Sequence, residues 1–368
     1  MKFVVTVMVR DEVDIIAAMV EHHLAQGADL IIATDNGSVD GTAEVLQRYA
    51  DLGVLELHHD PVFRKQQHAV VTGMARRACT EHGADWVINA DADEFWVPCD
   101  SRLTLRSALE AIPLSLAAFT VPVTNLVGPP AMRGSGVDRL LWRDRRTTEQ
   151  LQAVGIFAQP TDDAVHRGDP GIEVSQGNHF VSLRSTGQPD PALALEVLHL
   201  PWRSWLQFEQ KVVNTGQSYE ANPNLRPSKN HHGMADYRRH LAGRLTYAFA
   251  ARQPSEKDLV GGERDGSFVY DTGLRDHLHE LVDRALLPDL VERCLDASQD
   301  EPIDPGEHER DASLGRLFIA LERERDEARK LADERVARPP RIRDDWLRVT
   351  RRTAGALKRR VRGGRRRR

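Results

Sequence analysis

Apolar runs of strand length alternate with helical periods over residues 3–90, and that alternation restricts the chain to few architectures. FVVTVMV (3–9) is a continuous, largely β-branched run, the pattern of a strand buried on both faces. A helix is expected over 12–26, with Ile15, Ile16, Met19, Val20 and Leu24 at helical spacing and Gly27 as its stop. ADLIIATD (28–35) is the next strand, NGSVDGT a turn, and Asp40 a cap for a helix reaching residue 49. GVLELHH (53–59), a helix over 65–82 and a strand over 85–90 complete the series. Strands and helices in strict alternation predict an α/β fold, a parallel sheet covered by helices on both faces.

Beyond residue 100 the pattern loosens. Residues 116–128 predict one strand, 129–139 and 160–177 loops, and HFVSL (179–183) and ALEVLHL (194–200) short runs that extend the sheet. Helices are expected over 204–220, 235–250 and 274–287, with a polar surface loop over 222–233 that includes KNHHG. Leu314, Leu317, Leu321, Ala328 and Leu331 define an amphipathic helix over 312–337, either lying on the globular body or forming a short coiled coil. The expected organisation is a catalytic core over 1–220, a mixed helical region over 221–310, the amphipathic helix over 311–338 and a basic tail over 339–368.

The net charge of −5 conceals a segregation, because residues 341–368 hold 12 Arg and 1 Lys against two Asp, a balance of +11, which leaves −16 for the rest. Trp346, Thr350, Thr353, Leu357 and Val361 fall on one helical stripe of that tail. An arginine-rich amphipathic segment suits an anionic membrane surface; nucleic acid and plain disorder are the competing readings. No apolar run reaches the roughly 20 residues that cross a bilayer. The three cysteines are widely spaced, and the N-terminus lacks the features of a secretion signal. A cytoplasmic protein, peripheral at most on a membrane, is expected.

WVINADADEFWVP (86–98) carries the chemistry: a buried strand runs into Asp91, Asp93 and Glu94, then returns to Phe95, Trp96 and Val97. Ligands of open parallel sheets bind beyond the carboxyl ends of the strands. Arg10 to Glu12, Asp35 to Ser38 and Asp91 to Glu94 all fall at that edge. Carboxylates two residues apart at a strand tip suit a hard divalent ion completed by water and phosphate oxygens.

VMVRDEVDIIAAMVEHHLAQGADLIIATDNGSVDGT, FRKQQ and ADWVINADADEFWVP, in that order, resemble the glycosyltransferase family 2 superfamily. They are most similar to its branch with RNE after the first strand, DNxSxDGT after the second and DxDEF at the metal site. The resemblance is strong over 3–98 and weak over 99–220. It implies a GT-A fold, a nucleotide-sugar donor, Mg²⁺ or Mn²⁺, and transfer with inversion at the anomeric carbon to a hydroxyl of a glycan or lipid-linked acceptor. It places Arg10 and Glu12 in the nucleotide pocket, Asp35 at the base or ribose, and Asp91 and Asp93 at the metal. Asp11 stands where the branch has Asn, and is expected to weaken a local turn hydrogen bond.

LHLPWRSWLQFEQK (198–211) also recurs in that branch. It makes His199 a third metal ligand, with His179 as the competing imidazole, and sets Arg203 and Lys211 at the diphosphate beside Asp91. A carboxylate base is expected from the loop holding Asp162, Asp163, Asp169 and Glu173, with Asp169 and Glu173 the candidates retained. A nucleotidyltransferase is the second reading, weakened because VMVRDEVD is no Gly-rich basic loop. A non-catalytic interaction protein on the same scaffold is the third.

Overall fold

The computed structural model describes residues 1–337 apart from 65, 186, 223 and 228–231. The basic tail and the start of the KNHHG segment lie outside the described residues. Residues 1–319 form one compact unit, and a second begins at Ala320.

The chain opens β1 (Phe3–Val9), α1 (Ile16–Ala25), β2 (Leu30–Asp35), α2 (Thr42–Asp51), β3 (Leu55–His59), α3 (Gln67–Thr80) and β4 (Trp86–Ala90), as the alternation predicts. β5 (Glu94–Pro98), α4 (Leu105–Ala111), β6 (Ala118–Val121), β7 (Val123–Val127), β8 (Ala131–Arg133), β9 (Trp142–Asp144) and α5 (Thr148–Ala153) follow. Then come β10 (Asp163–Arg167), β11 (Leu195–His199), α6 (Trp205–Glu220), α7 (His232–Leu241), α8 (Leu245–Arg252), α9 (Glu256–Asp265) and β12 (Phe268–Tyr270). α10 (Gly273–Val282), α11 (Pro288–Cys294), β13 (Glu301–Pro302) and α12 (Pro305–Ala337) end the described chain.

A six-stranded sheet has the order β3-β2-β1-β4-β10-β6. Its first four strands are mutually parallel, and β10 is antiparallel between β4 and β6. β1 is almost wholly buried, as its continuous apolar run requires. A second sheet runs β12-β9-β7-β11-β5 and a two-stranded ribbon pairs β13 with β8.

Three expectations change. The loop expected over 160–177 contains β10, an inner strand hidden from pattern reading by its polar Asp163, His166 and Arg167. The single strand expected over 116–128 is two strands in different sheets, parted at Pro122, which has no N–H to donate to a ladder. The helix expected over 235–250 breaks into α7 and α8 at Gly243, whose φ is +64°. HFVSL contributes only an isolated bridge, Val174 to Val181.

Two chain crossings give the sheets their relation. β4 ends at Ala90 in the large sheet and β5 begins at Glu94 in the second, so the acids at 91 to 93 span the junction. β11 pairs with β5, setting His199 opposite Glu94, and delivers the chain to α6, whose N-terminus Ser204 caps through its hydroxyl.

α6 packs on α7 through Gly216: a Cβ there would lie 2.1 Å from the Tyr237 ring. Gly216→Ala should therefore destabilise the fold by about 1–3 kcal/mol in urea unfolding, as overpacking does. A neutral result would mean that α7 is free to shift.

Among the described residues no helix is long and apolar enough to cross a membrane. The three cysteines are unpaired. On α12, Ala312 and Ile319 are buried, whereas Leu314, Leu317, Leu321 and Leu331 of the expected stripe are exposed.

Candidate active site

A cleft of about 190 Å³ opens at the carboxyl edge of the large sheet. Its floor is Arg10 to Glu12 after β1, Asn36 after β2, and Asp91 and Asp93 after β4. Its walls are Phe63, Gln66 and Gln67 before and at the start of α3, and one face of α6. That face presents Gln207, Gln210, Lys211, Asn214 and Ser218, polar groups three or four residues apart.

Asp93 is the centre of charge. Its side chain is 1% exposed, and its Oδ2 meets Lys211 Nζ at 2.6 Å, Arg203 Nη1 at 3.5 Å and His199 Nε2 at 3.5 Å. Burial alone would raise the Asp93 carboxyl, but Lys211, His199 and Arg203 outweigh it and hold it well below the usual carboxylate range. Burial also opposes the Lys211 ammonium; Asp93 and Glu12 outweigh it and keep the amine protonated. Burial pushes Glu12 up to about 7 against the pull of Arg203 and Lys211.

Arg203 does not reach the cleft. Its side chain is 0% exposed; it donates to Asp14 Oδ2 at 2.9 Å and to Glu12 Oε2. The guanidinium expected at a diphosphate is instead the buried counter-ion that ties the β1 tip to the segment before α6. Lys211 does stand in the cleft.

Arg10 lies over the Phe63 ring at 4.3 Å and donates to the Asn36 carbonyl, an orientation that keeps its planar head along the cleft wall. Asp35 is turned under the floor: its carboxylate accepts from the Gly37 and Ser38 amides, both at 3.2 Å. Asn36, not Asp35, faces the cleft. Asp11 keeps its turn bond, accepting from the Val39 amide at 2.8 Å, and takes a φ of +56° that Asp and Asn tolerate. Asp91 Oδ1 accepts from Gln67 at 3.1 Å and from Asn178 at 3.2 Å.

His199, not His179, is the imidazole at Asp93. His199 Nδ1 sits 3.0 Å from Asn125 Oδ1, and its Nε2 lies 3.5 Å from Asp93 Oδ2. With Nε2 unprotonated, the ring and Asp93 would share a cation in the place of that proton. Among the described residues no three His, Cys, Asp or Glu side chains converge as a metal cage. Mg²⁺ needs no cage, since one or two protein ligands plus substrate phosphates and water suffice. The pair fits such an ion, provided Lys211 leaves the shared oxygen.

The carboxylates expected as base are elsewhere. Asp169 follows Gly168, whose amide bonds the Asp85 carbonyl at the opposite end of β4, on the order of 15 Å from the cleft edge. Glu173 is exposed and pairs with Arg76 part-way along α3. Two features escaped the sequence reading. The polar stripe of α6 was open to detection by its spacing, whereas Asp163 and His179 meet only because β10 is a strand.

A helix-flanked, mostly parallel sheet with paired acids at its carboxyl edge agrees with the GT-A fold that the sequence implies. Residues 3–115, under a third of the chain, match glycosyltransferase family 92. The match supports the superfamily assignment, and the chain is a glycosyltransferase. No curated protein matches it. Solved structures similar to it include residues 1–349 of TarS from S. aureus, at 11% identity over 88% of this chain and 92% of that one, TM-score 0.35. The same fragment in complex with UDP gives 12% identity over the same shares, TM-score 0.33. Glucosyl-3-phosphoglycerate synthase from Mycobacterium tuberculosis, with Mn²⁺, UDP and glucosyl-3-phosphoglycerate, gives 11% over 69% and 81%, TM-score 0.29. Likenesses this loose carry no argument about chemistry.

Proposed function

We propose that the chain transfers a sugar from a nucleoside diphosphate sugar to a hydroxyl of a glycan or lipid-linked acceptor, with inversion at the anomeric carbon. The observation that carries this reading is the meeting of Lys211 with Asp93 across a cleft that Asp91 and Arg10 also line. The floor supplies acids for a cation, and α6 supplies a cation and amides for an anionic, hydroxyl-rich ligand. Asp93 and His199 would hold Mg²⁺ or Mn²⁺, which when bound neutralises charge on the leaving diphosphate.

This chain's own groups do the rest. Arg10 and Asn36 line the end of the cleft suited to the nucleoside. Lys211 is released from Asp93 when the diphosphate enters and donates to it, a charge-assisted bond that strengthens as the leaving oxygen gains charge. Gln207, Gln210 and Asn214 face the sugar. The class of acceptor and a membrane role for the tail rest on sequence alone.

The test is thermal unfolding with UDP-, GDP-, CMP- and dTDP-sugars, with and without Mn²⁺. A donor at 100 times its Kd should add about 2.7 kcal/mol. Lys211→Met should weaken that donor by roughly 10- to 100-fold, the worth of one hydrogen bond to a charged group, without unfolding the protein. If Lys211→Met binds the donor as tightly as the wild type, the diphosphate lies elsewhere. If no donor binds, the interaction-protein reading takes its place.

A further inference from the structure

We infer that His179, oriented by Asp163, is the general base that takes the proton of the attacking hydroxyl. The inference rests on the glycosyltransferase reading and names the catalytic group that reading lacks.

β10 runs antiparallel to β4, with Val165 opposite Ile88, so its first residue, Asp163, arrives at the edge where β4 releases Asp91. The Asp163 side chain is 1% exposed, and its Oδ1 meets His179 Nδ1 at 2.9 Å. Its Oδ2 is buried without a hydrogen-bond partner. A buried carboxylate on Nδ1 fixes the tautomer and leaves the Nε2 lone pair for a proton. The imidazole is about one-third exposed.

The surrounding turn keeps Nε2 clear and ties it to the cleft. A Cβ on Gly177 would lie 2.8 Å from His179 Nε2, and φ at Gly177 is +78°, so glycine alone leaves that space. Asn178, itself at φ +63°, reaches Asp91, and Gln176 reaches Gln67 at 2.5 Å. Asp91 and Gln67 both line the cleft. Gly177 and Asn178 take the left-handed values of a tight turn, which glycine and asparagine accept readily.

The charged groups facing the ring are Asp163, with the backbone of Asp162, from β10, and Asp91 from the end of β4. Burial disfavours the imidazolium, but Asp163 and Asp91 outweigh it and raise the ring above its ordinary range. Burial, then Asp163 and Asp91, raise the Glu94 carboxyl on β5, whose side chain is itself buried.

In the step, the acceptor oxygen forms a bond to the anomeric carbon. The bond from that carbon to the diphosphate oxygen breaks, and its electron pair leaves with the nucleoside diphosphate. The hydroxyl proton passes to His179 Nε2, while Nδ1–H stays on Asp163.

The test uses the full chain, the nucleotide sugar selected by the binding panel, and water as acceptor, with release of nucleoside diphosphate as readout. His179→Gln should bind the donor as the wild type does and release diphosphate roughly 100-fold or more slowly. Asp163→Asn should lower kcat with little change in KM and move the acid limb of kcat to lower pH, because the carboxylate that raises the ring is gone. A purely structural Asp163 would not move that limb. Wild-type turnover by His179→Gln, or an unmoved limb in Asp163→Asn, overturns the assignment. So does a wild type that binds donor yet releases no diphosphate. Failure of every donor to bind overturns the function itself, and the base with it.

Discussion

Arg203→Met should cost the fold about 3–5 kcal/mol in urea unfolding at neutral pH, a large part of the margin of an ordinary domain. The guanidinium is fully buried and satisfies Asp14 and Glu12 directly, with Asp93 at 3.5 Å. Burial opposes its charge, yet Asp14 and Glu12 outweigh that and hold it protonated beyond its ordinary range. Methionine preserves most of the volume, so the loss is electrostatic: Glu12 and Asp93 stay buried, and Asp14 half-buried, with one cation fewer. Adding Glu12→Gln and Asp14→Asn to Arg203→Met should restore most of the stability, since neutral amides need no counter-ion. A single variant within about 1 kcal/mol of the wild type would mean those acids are hydrated or protonated, and the cluster would not be the tie described above.

The second large effect is a proton linkage at His166. The ring is fully buried in β10, where Asn89 donates to its Nε2 at 3.1 Å and the Thr6 hydroxyl donates to Asn89. Burial, against a smaller backbone bond to Arg167, lowers it from 6.5 to about 4. A base depressed in the folded state contributes stability that is complete above pH 6.5 and is lost as pH falls toward 4, because the unfolded chain takes up the proton first. The gap between wild type and His166→Gln should therefore shrink by about 3 kcal/mol between those limits, since each tenfold change in proton affinity is worth roughly 1.4 kcal/mol. The comparison must be a difference. His22 and His23, also buried and depressed, act in the same sense, and the raised Glu12 and Glu94 act in the opposite one. A gap independent of pH would show that His166 carries its proton in both states or in neither.

How much of this was legible depended on whether the cause lay near in sequence. β1 matches its expected bounds because seven consecutive residues of an apolar, β-branched run leave one reading. Motif spacing sets Asp91 and Asp93 at a strand tip and Lys211 on α6, and all three line the cleft. β10 was not legible, because a buried Asp163 and His166 look like loop residues until His179 and Asn89 are seen beside them. Arg203 was misplaced for a related reason. A cation near a site can face a ligand or face buried acids, and the deciding partners, Glu12 and Asp14, lie about 190 residues earlier. Asp35 had the right strand tip and the wrong direction, since its carboxylate closes its own turn.

The acidic triplet spans a seam, and the seam limits how this protein can change. Ala90 is held in register with Val7 on one side and Glu94 with His199 on the other. One residue gained or lost between those anchors would slip a strand and turn its side chains to the wrong face. The distance between Asp91 and Asp93 is thus gauged by two ladders at once. Substitution can alter this centre, but insertion and deletion between those anchors cannot.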